Sequence, residues 1–209
     1  MALQSQSIGN QLRQNLSQSL LFGVLAYLVG YVVTVVFVFV DGVDFGGDAG
    51  WVKIAGWVFY AAHTVKMEIT GFAGDRSEAS TVNLFDGFSE LTSLTDAVPE
   101  ILYLLVPVAV LAGTGFVLVR RVTGPDATVT TAAALGASIV VGYLPLAVVG
   151  QLVFSHTETG LGGSVGVTIA PELVSSVLLV GLVYPLVCGT VGAVLAQQTA
   201  PDSTAEYRT

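Results

Sequence analysis

Four stretches of this chain contain no Asp, Glu, Lys, Arg or His, and each is long enough to cross about 30 Å of hydrocarbon. They are residues 20–40, 101–119, 129–155 and 173–196. In hydrocarbon a backbone must satisfy its own hydrogen bonds, so each run is predicted to be a transmembrane helix. The composition agrees: 11% of the residues are charged, against about 25% in an ordinary soluble domain. The first run is an anchor rather than a secretory signal. It is too long for a signal core, and VFVFVDGVDF offers no small-residue cleavage site. The predicted class is an all-α membrane protein, a bundle of four transmembrane helices plus an outer interfacial amphipathic helix. The expected layout is an N-terminal segment over 1–19, a single transmembrane domain over 20–196 and a disordered tail over 197–209.

Charge sets the threading. Fifteen acids stand against seven basic residues, which excludes a basic nucleic-acid surface. Strong acidity with little lysine suggests a protein that works in high salt, where screening blunts self-repulsion. With four spans, Arg13, Arg120, Arg121 and Arg208 share one side, which the positive-inside rule makes cytoplasmic. Both termini are then cytoplasmic, and the opposite side receives twelve of the acids, from Asp41 to Glu172.

The segment WVFYAAHTVKMEI, residues 57–69, tests that threading. A fifth span over 51–69 would place Arg120 and Arg121 outside and reverse the orientation signal. The segment is therefore read as an outer-surface helix or a shallow re-entrant piece over 51–69. Lys53, Tyr60, His63 and Thr64 would lie on one stripe and Trp51, Ile54, Val58 and Val65 on the other. Its candidate functional surface is Trp57, Tyr60, His63, Lys66 and Glu68. Residues 70–98 read as an outer loop, with a short helix spaced by Leu84, Phe88 and Leu91. HTETGLGGSVGVT reads as a flexible connector.

Few motifs carry chemistry. Asp41, Asp44 and Asp48 lack the spacing of a calcium loop and read as a solvated acidic rim. His63 and His156 have no paired metal-ligand spacing and read as interfacial histidines. The lone Cys188 excludes an internal disulfide and a cysteine zinc site. No catalytic residue, metal or cofactor is predicted. Pro107, Pro145 and Pro185 interrupt the last three spans, and such kinks can open backbone carbonyls toward a cavity. Gly181, Gly189 and Ala193 form a small-residue stripe for helix packing. No span carries an ionisable side chain, which argues against a proton-driven carrier.

WVFYAAH at 57–63, GYLPLAVVG at 142–150 and GLVYPLV at 181–187 resemble a family of uncharacterised haloarchaeal multi-pass membrane proteins, over roughly residues 20–196. Members are sometimes labelled transporters, and the resemblance implies a membrane location without a substrate or catalytic residues. The expected role is a non-enzymatic membrane subunit or scaffold, partnered by the lipid bilayer and by another membrane protein or a second copy. The alternative is a transporter or channel-like protein for a small neutral solute. A membrane enzyme using His63 ranks third.

Overall fold

A computed structural model describes residues 10, 13–42, 49–85, 97–124 and 127–200. Its frame is four helices long and apolar enough to cross a membrane. The first, α1, spans Leu16–Val40, and a shorter α2 follows over Gly50–Ala62. A hairpin of β1 (Met67–Ala73) and β2 (Arg76–Val82) leads to α3, Glu100–Val122. The third span is two pieces, α4 (Val129–Ala137) and α5 (Val140–Val153), and a second hairpin pairs β3 (His156–Gly160) with β4 (Val165–Pro171). The last span, α6, covers Leu173–Gln198. Only 33–39% of each span's most apolar window is buried inside the chain. The outward faces carry Val32, Phe39, Ile101, Leu152 and Val187, each more than half exposed. Water would not tolerate that surface; hydrocarbon would.

Glycine lets these helices approach at backbone distance. A Cβ on Gly23 of α1 would strike the Ile139 carbonyl, and one on Gly142 of α5 would strike the Leu20 carbonyl. At the other seam, Gly115 of α3 and Gly136 of α4 both face the Gly189 carbonyl of α6, and Gly192 faces that of Ala112. Such contacts supply the dispersion attraction that holds helices together when the surroundings are as apolar as the side chains. Ser19 and Ser138 add a hydroxyl bridge of 2.6 Å beside the first seam.

Two spans are irregular. The third breaks around Ser138, where α4 ends and α5 begins. In α6, Ser176–Val183 is wound as a π-helix that ends two residues before Pro185. Proline has no N–H to return to the carbonyl four residues back, and a wider turn re-pairs the ladder at such a point.

The structure corrects the all-α expectation, because the two connecting segments build one sheet. Its order is β2-β1-β4-β3, antiparallel throughout. The 70–98 loop therefore begins as a hairpin closed by the two residues Gly74 and Asp75, with Gly74 at φ +58°. The HTETGLGGSVGVT connector is ordered as β3, a tight glycine turn and β4. Phe72 covers Gly166, its partner across β1 and β4, where a side chain would leave no room for the ring. The base of the sheet is anchored in the core through Met67, Val82 and Ile169. The short helix expected around Leu84, Phe88 and Leu91 lies largely outside the described residues, as does the tail beyond 200; α6 itself runs to Gln198.

Asp41 overturns part of the acidic rim. It is 2% exposed, and its carboxylate accepts from the Val98 N–H at 2.7 Å and the Tyr103 hydroxyl at 2.6 Å. It ties the end of α1 to the start of α3. Asp44 and Asp48 lie outside the described residues.

The glycine seams predict a contrast two residues apart. Gly115→Ala should destabilise the purified protein by about 1–3 kcal/mol through overpacking. Gly113→Ala, whose Cβ would meet nothing within 4 Å, should be neutral or mildly stabilising. Thermal unfolding in detergent measures both, and equal effects would contradict the seam.

Candidate functional site

The expected interfacial helix over 51–69 is instead a helix of 13 residues that ends at Ala62, with Met67–Ala73 in a strand. Every residue from Ile54 to Ala62 is buried, on both sides of the predicted stripe. The helix does not lie flat; it enters the bundle. Its first turns stay near the sheet end, where Trp51 meets Phe39 and the Tyr31 hydroxyl donates to the Val52 carbonyl at 2.9 Å. Gly56 has no side chain because the Phe154 ring occupies that space. The Trp57 indole N–H donates to the Phe154 carbonyl at 2.6 Å. Farther in, the Tyr60 hydroxyl donates to the Ala147 carbonyl.

The far end of α2 defines the site. The His63 ring meets Tyr143, ten residues before α5 ends, and Tyr184, eleven residues into α6. At 1.5 Å per residue those two positions lie about 15 Å along their helices from the sheet end, while Lys66, three residues beyond His63, bonds Glu172 at that end, so the cap sits inside the bundle just below the sheet. A helix stopping there has no water for its last carbonyls. Four bonds replace it. His63 N–H turns to the Tyr60 carbonyl at 3.0 Å, Thr64 N–H to Ala61 at 2.7 Å and Val65 N–H to Tyr60 at 3.2 Å. The Phe59 carbonyl, thereby deprived of its usual backbone donor, accepts from His63 Nδ1 at 2.8 Å.

That last bond fixes the tautomer. A carbonyl can only accept, so Nδ1 carries the proton, and Nε2 of the neutral ring accepts from the Tyr143 hydroxyl at 3.0 Å. The imidazole is fully buried. Its ring neighbours are Phe59, Tyr143 and Tyr184, with Phe59 and Tyr184 edge-on at 4.8 and 4.9 Å. Nothing anionic among these contacts favours the charged form, so the ring is neutral. Tyr27 joins the cluster by donating to the Tyr60 hydroxyl at 3.3 Å. Gly150 accommodates both hydroxyls, because a Cβ there would collide with Tyr27 and Tyr60.

Thr64 occupies the left-handed position of this cap at φ +62°. Glycine is the usual residue there, and a β-branched one is strained. Its hydroxyl donates to the His63 carbonyl at 2.6 Å.

The sequence candidates therefore separate. Trp57, Tyr60 and His63 converge inside the bundle. Lys66 is exposed and uses its carbonyl to receive the Glu172 N–H at 2.9 Å. Glu68 is half-buried on β1 beside Thr70. His63 is not the interfacial histidine expected, and an imidazole does lie within the bundle although no span contains a histidine. His156 sits at the sheet's base, 3.2 Å from Lys53 Nζ and 3.4 Å from Glu158. Pro107 and Pro185 are buried whereas Pro145 is exposed, so the three do not share one face. Gly181 packs on Leu144, and Gly189 and Ala193 pack on α4. Among the described residues no group of three metal-ligating side chains is present.

Sequence reasoning missed Gln151 as a site residue. It is 9% exposed, and its amide nitrogen donates to the Pro171 carbonyl at 3.1 Å. Among the described residues its side-chain oxygen has no partner. A lone polar residue near a span's end was its only signal.

The fold and this buried cluster define a class: four apolar helices long enough to span a membrane, a fifth short helix inserted among them and an antiparallel sheet above it. The chain belongs to a family of unknown function, DUF7978, whose model matches residues 1–200. No curated protein and no solved structure matches it.

The cap predicts opposite effects at neighbouring positions. Tyr143→Phe should lower stability by about 1–3 kcal/mol, because it leaves Nε2 buried without a donor. Thr64→Gly should raise it by about 1 kcal/mol by relieving the left-handed strain. Chemical unfolding in detergent reads both, and a destabilising Thr64→Gly would show that the cap geometry is wrong.

Proposed function

We propose that this protein is an integral membrane subunit or scaffold without enzymatic activity, which holds its sheet rigidly against one membrane face for a partner protein or a second copy. The observation that carries this reading is the closure of the buried polar cluster. Both nitrogens of His63 are engaged, and the Tyr60 and Tyr143 hydroxyls donate within the chain. Groups so engaged hold α2 in place and have little capacity left for a solute. Arg13, Arg120, Arg121 and Arg208 support a cytoplasmic placement for both termini. A thiol reagent that cannot cross the membrane should then miss a cysteine at Ser203 in intact cells. The acid excess and scarce lysine support an origin in high salt.

A transporter for a small neutral solute is the second reading. It is favoured by the unpaired Gln151 oxygen and by the two discontinuous spans, since interrupted helices often surround a transporter's central site. Purification from native membranes, followed by reconstitution into liposomes, separates the two. The scaffold reading expects a stoichiometric protein complex or a homo-oligomer, and no flux of neutral solutes from the isolated protein. Saturable flux that is lost in Gln151→Leu would replace it with the second.

A further inference from the structure

We propose that the groove between α1 and α3 binds one anionic phospholipid, with an acyl chain along the groove and the phosphate on Arg121. The groove encloses about 260 Å³. The small residues Ala26, Ala109 and Gly113 create a depression flanked by Leu25, Val29 and Val117. Its one hydroxyl is turned away from any ligand, because Thr114 donates to the Val110 carbonyl of its own helix at 2.7 Å. Val29, Gly113 and Val117 are exposed, so the groove opens sideways onto the outer apolar surface of the bundle. A chain in hydrocarbon can enter there without crossing water.

The second observation is the cation at the end of this groove. Gly113, Val117 and Arg121 are four residues apart and so continue one stripe of α3. The Arg121 guanidinium lies over the Phe22 ring, 5.7 Å from its centroid, and Phe22 itself lines the groove. Among the described residues no carboxylate pairs with Arg121. Arg120 differs: it stacks on Phe116 and donates to the Thr199 carbonyl and hydroxyl at 2.8 and 2.9 Å. One arginine of the pair thus closes the end of α6, while the other stands where the apolar run of α3 stops and lipid phosphates begin. An apolar slot ending at a cation complements a phospholipid that carries net negative charge.

This inference rests on the membrane reading but not on the scaffold role, so its failure would leave the flux experiment unaffected. The test is native mass spectrometry of the full-length protein in mild detergent. It is titrated separately with phosphatidylglycerol and with phosphatidylcholine of the same acyl chains. The protein should retain one phosphatidylglycerol in preference to phosphatidylcholine. Arg121→Gln should reduce that preference about fivefold, and Arg121→Lys should largely restore it. Gly113→Leu and Ala109→Leu, both filling the groove from exposed positions, should weaken binding of both lipids. Arg120→Gln removes the same charge from another face and should leave the preference intact. Equal binding of the two lipids, equal losses from both arginine variants, or full binding by both groove-filling variants would each overturn the proposal. So would displacement of the lipid by inorganic phosphate, which would indicate a headgroup site independent of the groove.

Discussion

A helix that ends inside an apolar bundle must satisfy its final carbonyls from the protein, and the architecture of this protein turns on how α2 does so. Three backbone donors fold back onto Tyr60 and Ala61, and the His63 side chain supplies the donor for Phe59. An unpaired buried carbonyl would cost roughly 1–3 kcal/mol. The same imidazole then accepts from Tyr143, so the cap of α2 is also its tether to α5. Histidine suits this position because a neutral ring both donates and accepts. A lysine could only donate, and a leucine could do neither.

The remaining contacts arrange themselves around that insertion. Tyr27 and Tyr60 bring a phenol pair against the glycine surface of α5 at Gly150. Phe59 fills the space beside Gly30 of α1. Because α2 occupies the sheet end of the bundle, α1 and α5 meet closely at Gly23 and Gly142, and α3, α4 and α6 meet at Gly115, Gly136 and Gly189. The chain leaving the cap at Val65 passes directly into β1, and Lys66 receives the N–H of Glu172, the residue that caps α6. The sheet is therefore fastened to the same elements that hold α2.

The four spans were legible because charge exclusion over some twenty residues leaves few alternatives in a folded chain. The sheet was not legible. RSEASTV of β2 has no apolar alternation, and its exposed strand is held by backbone pairing that leaves no trace in hydropathy. Gly74-Asp75 was a usable hairpin signal, because a two-residue turn opening with glycine favours that connection. MEI continues the apolar run of a helix in sequence, although Thr64, three residues earlier, takes the left-handed conformation that ends it. Of the candidate site, Trp57, Tyr60 and His63 were singled out from type and position. Their depth was hidden, since a stripe calculation assumes that one face meets water or lipid, and α2 meets protein on both.

Hydrogen–deuterium exchange resolved by peptide in lipid nanodiscs tests the central claim most directly. The claim is that α2 is packed within the bundle and locked by its own cap. The amides of Val58–Ala62 should then exchange as slowly as those in the middle of α3 and α5, and Tyr143→Phe should accelerate them selectively. Exchange at the rate of the Gly74-Asp75 turn in the native protein would place this helix on the membrane surface and contradict the account.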